Sequence, residues 1–198
     1  MILDHLDNLT LPDGHHFGNE VAVLQSLAVG LDFLSTQIAG IEKEAWRRFA
    51  NKARVLSYGN NPMLAWVPKD LVLCAFHWYS VSACNYVSLV GWLAKQVYPT
   101  RPEPKEYVRA VIPIVQTYRD KVAAHFARVF PRKDTPATLD ASVLPSVTFY
   151  DDAFYVGAWA VMKTVQGVPS SSCDLRWSLT KTHAELTTRY WPGPGGKP

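Results

Sequence analysis

The chain has 198 residues, 48% of them hydrophobic and 19% charged, and a formal net charge of +3. That length supports one well-filled core, the composition excludes a disordered chain, and so small a charge excess excludes reading nucleic-acid binding from composition alone. Cys74, Cys84 and Cys173 are odd in number and lack metal or disulfide spacing, which predicts reduced thiols in a cytoplasmic setting.

Residues 1–18 are polar and turn-rich, ending in Leu11-Pro12-Asp13-Gly14-His15-His16, and read as a loosely attached arm. No basic segment followed by an apolar run opens the chain, so no signal peptide is expected. His15, His16 and Asp13 have no matching His/Cys cluster elsewhere, and no metal or other cofactor is expected.

From about Asn19 to Tyr58, Leu24, Leu27, Leu31, Leu34, Ile38, Ile41 and Ala45 recur at alternating spacings of three and four. This seam predicts the first and longest helix. Its C-terminal third carries Lys43, Arg47, Arg48, Lys52 and Arg54, a solvated face or a contact for RNA phosphates. Gly59-Asn60-Asn61-Pro62 then stops the helix.

A second helix is expected over Lys69 to Gln96. Its stretch Leu71–Ala94 holds no Asp, Glu, Lys or Arg and is long enough to cross a bilayer, but His77, Ser80, Ser82, Asn85 and Ser88 fall along its middle. A buried central helix is the better reading, with no membrane partner. His77, Ser80, Cys84, Ser88 and Gly91 recur on one side as a furrow where another backbone can come close, with His77 read as a hydrogen-bonded core histidine.

The linker Tyr98-Pro99-Thr100-Arg101-Pro102-Glu103-Pro104 is stiff, because each Pro fixes its own φ and biases the residue before it. It leads into a third helix, about Lys105 to Phe130, with core stripe Val108, Val111, Val115, Val122, Phe126 and Val129 and a kink at Pro113. After Pro131 a long loop precedes an expected β-hairpin, Ser146–Tyr150 and Ala153–Gly157 around Asp151-Asp152. Gly167 to Asp174 reads as a loop, Thr182-His183-Ala184-Glu185 as a capping box opening a short last helix, and residues 192–198 as a tail.

Arg119 and His125 stand out as charged groups inside a strongly helical, apolar pattern. At about 100° per residue they lie roughly 120° apart around the helix, so they flank the apolar stripe rather than neighbour each other. Two copies of the helix meeting across a two-fold axis would bring an Arg and a His from each chain to a shared cleft. There an imidazole can exchange protons with a ribose 2′-hydroxyl or a leaving oxygen, and a guanidinium can bind the phosphate.

Arg119-Asp120-Lys121-Val122-Ala123-Ala124-His125 resembles the signature of the HEPN superfamily (higher eukaryotes and prokaryotes nucleotide-binding): an Arg, a polar residue beside it and a His shortly after. The resemblance covers residues 19–130. It implies an up-down helical bundle, usually dimeric, and in active members metal-independent RNA cleavage, often in toxin–antitoxin or anti-phage systems. Carried onto this chain it gives His125 as general acid/base, Arg119 as phosphate binder and Asp120 as an orienting group. Some members controlled by nucleotidyl transfer carry a Tyr two positions after the His; Ala127 stands there, so that regulation is not expected.

The sequence therefore predicts a mainly α fold: an up-down bundle of three long helices with a C-terminal β-hairpin and a short final helix. The expected organisation is a polar arm at 1–18, a HEPN-like bundle at 19–130, a loop, hairpin and short helix at 131–191 packed on the bundle, and a tail at 192–198. The function expected is a HEPN-type endoribonuclease acting as a homodimer on RNA, with an antitoxin or other protein as possible partner. The alternative is a catalytically silent bundle that binds a protein or nucleotide, with Phe149, Tyr150, Phe154 and Tyr155 as its docking surface.

Overall fold

The computed structural model describes residues 17–49, 55–57, 67, 69–120, 138–139, 146–150, 152–157, 159–163, 169–174 and 176–189. Helix α1 (Gly18–Phe49) and helix α2 (Lys69–Val97) pack along each other. The third long helix is broken in two, α3 (Pro104–Val111) and α4 (Pro113–Tyr118). The break falls where Pro113 was expected to kink it: Pro has no N–H to donate, and Ile112 leaves the helical region at φ −134°, ψ 58°. The up-down bundle expected from the sequence is therefore the observed core, followed by a hairpin and a short C-terminal helix.

The seam of α1 behaves as its spacing predicts. Leu24, Leu31, Ile38 and Ala45 are buried, and Leu27, Leu34 and Ile41 pack at its margin. In α2 the charge-free stretch is core, with Val72, Phe76, Tyr79, Ala83, Val87 and Val90 buried. By length and composition α1, spanning Gly18–Arg48, is the one described helix that could cross a membrane. It is nevertheless tied into this fold by two acids, the partly buried Asp32 and the buried Glu42, as shown below.

The furrow on α2 does what small residues allow. Gly91 is buried, and a Cβ added to it would lie 2.9 Å from Tyr107 Cδ1 and 3.1 Å from Tyr107 Cβ. Hydrogen at this position is what lets α3 seat its ring directly on the α2 backbone. A link between Lys95 and Glu103 closes the α2–α3 corner from outside.

The hairpin is β3 (Ser146–Tyr150) and β4 (Ala153–Gly157), paired antiparallel with Tyr150 opposite Ala153. Asp152 takes φ 62°, the left-handed value a tight turn demands and that Asp tolerates better than most residues. Three expectations need correction. The first helix does not run to Tyr58: it ends at Phe49, and Val55–Ser57 form strand β1, whose backbone pairs with β3 instead. Residues 169–174 are strand β6, not loop; β6 pairs with β5 (Trp159–Lys163), which in turn pairs with β2 (Thr138–Leu139). The last helix, α5 (Leu179–Arg189), starts a turn before Thr182, with Ser178 Oγ accepting from the Lys181 N–H at 3.4 Å in the N-cap position.

The proposed aromatic docking surface is also corrected. Strand alternation sends Phe149 and Phe154 into the core, their rings 5.1 Å apart, so only Tyr150 is exposed and Tyr155 partly so.

The close approach at Gly91 gives a test of the bundle. The nearest atom, Tyr107 Cδ1, can turn aside, but Tyr107 Cβ at 3.1 Å cannot move without the α3 backbone. Gly91→Val should destabilise the fold by about 1–3 kcal/mol, measured by urea unfolding, with the loss recovered in part by Tyr107→Ala.

Candidate functional site

Two groups of polar side chains come together in this fold. One is the motif found in the sequence, the other was not anticipated.

Arg119 and Asp120 continue α4 as a π-type turn, a local widening that recurs at functional positions in helices. Arg119 Nε and Nη2 both donate to Asp120 Oδ1, at 2.9 and 2.6 Å. The guanidinium side chain is 26% exposed, so two of its five donors are committed while the group stays accessible at the helix end. Asp120 thus holds the Arg119 side chain beside it. Behind them lies Cys84 on α2, whose thiol burial pushes up to about 11, with Arg119 lowering it and Asp120 raising it. Tyr118, one residue earlier, is fully buried, its ring 5.7 Å from His77 and 5.5 Å from Trp177. Burial lowers the pKa of His77, consistent with an uncharged core imidazole. His125 lies outside the described residues.

Of the basic residues expected to meet RNA, Lys52 and Arg54 also lie outside the described residues. Lys43, Arg47 and Arg48 are exposed at the end of α1. Arg47 and Arg48 share Glu44, at 2.8 Å from Arg47 Nε and 2.6 Å from Arg48 Nε. Hydrogen bonds from Arg47 and then Arg48 hold the Glu44 carboxyl down to about 2. Exposed pairs of this kind are cheaply broken, so both guanidinium groups can exchange Glu44 for another anion.

The unanticipated group links three helices. His183 on α5 lies with Nε2 2.9 Å from Asp32 Oδ1 on α1 and Nδ1 3.2 Å from the Tyr79 hydroxyl on α2. Burial lowers the His183 pKa, against the opposing pull of Asp32, so the ring is neutral near pH 7. Burial, with Asp32 adding to it, raises the Tyr79 phenol well above its usual value, so it keeps its proton. One tautomer satisfies all three: His183 Nε2–H donates to Asp32, and Nδ1 accepts from Tyr79 O–H. The order carboxylate, imidazole, hydroxyl resembles a nucleophile relay in sequence of groups alone. Tyr79 has no exposed surface, so no substrate reaches its oxygen, and the chain is a structural clamp.

A second clamp lies two to three turns further along α1. Glu42 is buried and accepts the Phe154 N–H of β4 at 2.7 Å, with a further bond from the Thr180 side chain. Desolvation raises its carboxyl to about 7 against those two bonds. Two positions on, Val156 exchanges backbone bonds with Trp177 at 3.0 and 3.1 Å. The free edge of β4 is thereby covered at both outward N–H groups by Glu42 and Trp177.

Asp32 and Glu42 were not singled out in the sequence, and His183 was named only within the expected capping box. Among the described residues no group of three or more His, Cys, Asp or Glu side chains is placed to hold a metal ion. Comparison of the chain with family models, curated proteins and solved structures finds no match in any of the three.

Both clamps can be tested. His183→Ala leaves the Tyr79 hydroxyl and Asp32 buried without their partner and should cost about 2–4 kcal/mol, with α5 amides exchanging fastest in hydrogen exchange. For Glu42 the sign follows from a raised carboxyl: the folded state favours the protonated form, so its contribution is full below 4.5 and is lost as pH rises through about 7. Glu42→Gln keeps an oxygen for the Phe154 N–H without the charge. It should raise stability at pH 8 by about 1–3 kcal/mol and leave it unchanged at pH 4, as read by thermal unfolding at the two pH values.

Proposed function

We propose that the protein is a metal-independent endoribonuclease of HEPN type, working in the cytoplasm as a homodimer in a toxin–antitoxin or anti-phage setting. The observation that carries this is the Arg119–Asp120 pair at the end of the third long helix of an up-down bundle. Arg119 is anchored by its neighbour yet accessible, which is the state a phosphate-binding guanidinium needs before substrate arrives. In this reading Arg119 binds the scissile phosphate and the charge that develops on it. His125 moves the proton between the 2′-hydroxyl and the leaving oxygen, and Lys43, Arg47, Arg48, Lys52 and Arg54 guide the RNA strand.

A second reading is a silent bundle that captures a protein or nucleotide partner. It is favoured by the outer side of α2, where Leu71, Trp78 and Val81 are exposed in one stripe, Trp78 at 69%. So large an uncovered indole suits a contact surface.

A cleavage assay separates the two. Wild-type protein should cut single-stranded RNA in the presence of a chelator and leave a 2′,3′-cyclic phosphate, while Arg119→Ala and His125→Ala should each slow cleavage by about 100-fold or more. RNA left intact by pure wild-type protein, with and without candidate partners, or a His125→Ala variant as fast as wild type, would sink the ribonuclease reading in favour of the second.

A further inference from the structure

The outward face of α1 is unusual in what it lacks. Between Gly18 and Gly40, about 33 Å of helix, none of the exposed residues is charged. The charged residues in that stretch, Glu20 and Asp32, are both partly buried, and Asp32 is bonded to His183. A solvated helix face normally carries interspersed charges of both signs. Here it presents Ala22, Ser26, Val29, Phe33, Gln37 and Gly40, with Phe33 60% and Val29 56% exposed. A lipid surface is a poor occupant, because the amide of Gln37 and the hydroxyl of Ser26 would be driven among acyl chains. A helix carrying the same mixture suits both groups.

We propose that this face docks a second copy of the same helix, antiparallel, about a two-fold axis midway between Leu31 and Asp32. In that register Phe33 of each copy comes level with Gly30 of the other, and Val23 with Gly40. Both glycines are open: a Cβ built on either meets nothing within 4 Å. The projecting side chains and the positions with room for them therefore share one symmetry centre, and Ser26 falls opposite Gln37. Charge agrees with this direction. A parallel pair would stack the two basic ends, Lys43, Arg47 and Arg48, on each other. The antiparallel pair sets these basic ends apart and opposes the helix dipoles. A strip of this length and one helix width covers several hundred Å² per copy, below the roughly 800 Å² per partner of stable complexes. The pair is accordingly concentration-dependent, with a micromolar dissociation constant. It uses α1, not the motif helix, so the response of association to substitutions on α1, not dimer mass alone, separates it from the homodimer of the ribonuclease reading.

Sedimentation velocity over about 1 to 300 µM protein tests it. Wild-type mass should rise toward that of a dimer, and Phe33→Arg and Gly30→Glu should each weaken association by about tenfold or more. Because Gly30 has open space and Glu is the better helix former, Gly30→Glu should keep or raise the melting temperature, so lost association is not lost folding. An equimolar mixture of F33R and G30E chains should recover association, since the introduced guanidinium then faces the introduced carboxylate. A wild-type chain that stays monomeric throughout, association untouched by either substitution, or no recovery on mixing overturns the proposal. Flotation of the wild type with phosphatidylcholine vesicles, lost in F33R, would overturn it too and assign the face to a membrane.

Discussion

The fold depends on a neutral imidazole held between a carboxylate and a phenol. His183 bonds α5 by side chain to both long helices, and each of its ring nitrogens has one role. Were His183 charged, Nδ1 would turn from acceptor to donor and face a Tyr79 hydroxyl that still has its proton. Were Tyr79 an apolar residue, Nδ1 would be buried without a donor. A buried network is stabilising only when every member is satisfied, and here the α1–α2–α5 interface meets that condition with three side chains. Much of the α5 surface is Thr, Lys and Glu, with Leu179 and Leu186 as its buried apolar anchors. A helix with so little apolar surface docks in one orientation because the polar chain fixes its rotation.

Glu42 does the corresponding work for the hairpin. Without it the N–H of Phe154 would point from a strand edge into the side of α1, where water has little access. The two clamps answer to pH in opposite directions. The raised Glu42 carboxyl favours the fold toward acid, while the lowered His183 favours it above 6.5 and loses that contribution as pH falls. The two contributions therefore run in opposite directions as pH changes.

How much of this could be read in the sequence follows from how far apart the partners lie. The helical seam, the charge-free core helix, the break at Pro113 and the hairpin around Asp151-Asp152 are local patterns, and each appears where periodicity or turn chemistry puts it. Strand β1 is three residues long and exists because β3 lies beside it, so no local signal marks it. Strand β6 is rich in Ser and Pro, which read as loop, and it is a strand because β5 supplies its partner. No local pattern gives the partners of Asp32 and Glu42. Their partners are 151 and 112 positions away, a separation that pattern cannot span. A usable signal existed: an acid within a core stripe that lacks a Lys or Arg three or four positions away must find its partner elsewhere. Of the motif, Arg119 and Asp120 form an ion pair, and His125 lies outside the described residues.

The two faces of α1 invert the usual distribution of charge. Acids are rarely buried without partners, and exposed helix faces rarely go without charge. In α1 Asp32 and Glu42 point inward, to His183 and to Phe154, while Glu44 is held outside by Arg47 and Arg48 and the outward face is uncharged over its first six turns. Burying Asp32 and Glu42 costs desolvation that a solvent-facing position would have avoided, and the bonds to α5 and β4 offset it. An outward face of Ser, Gln, Gly and Phe has no such compensation from water, which solvates charged groups far better than these. Both sides of the helix therefore carry the composition of contact surfaces: the inner contact is made within the chain, and the outer one is left for another molecule.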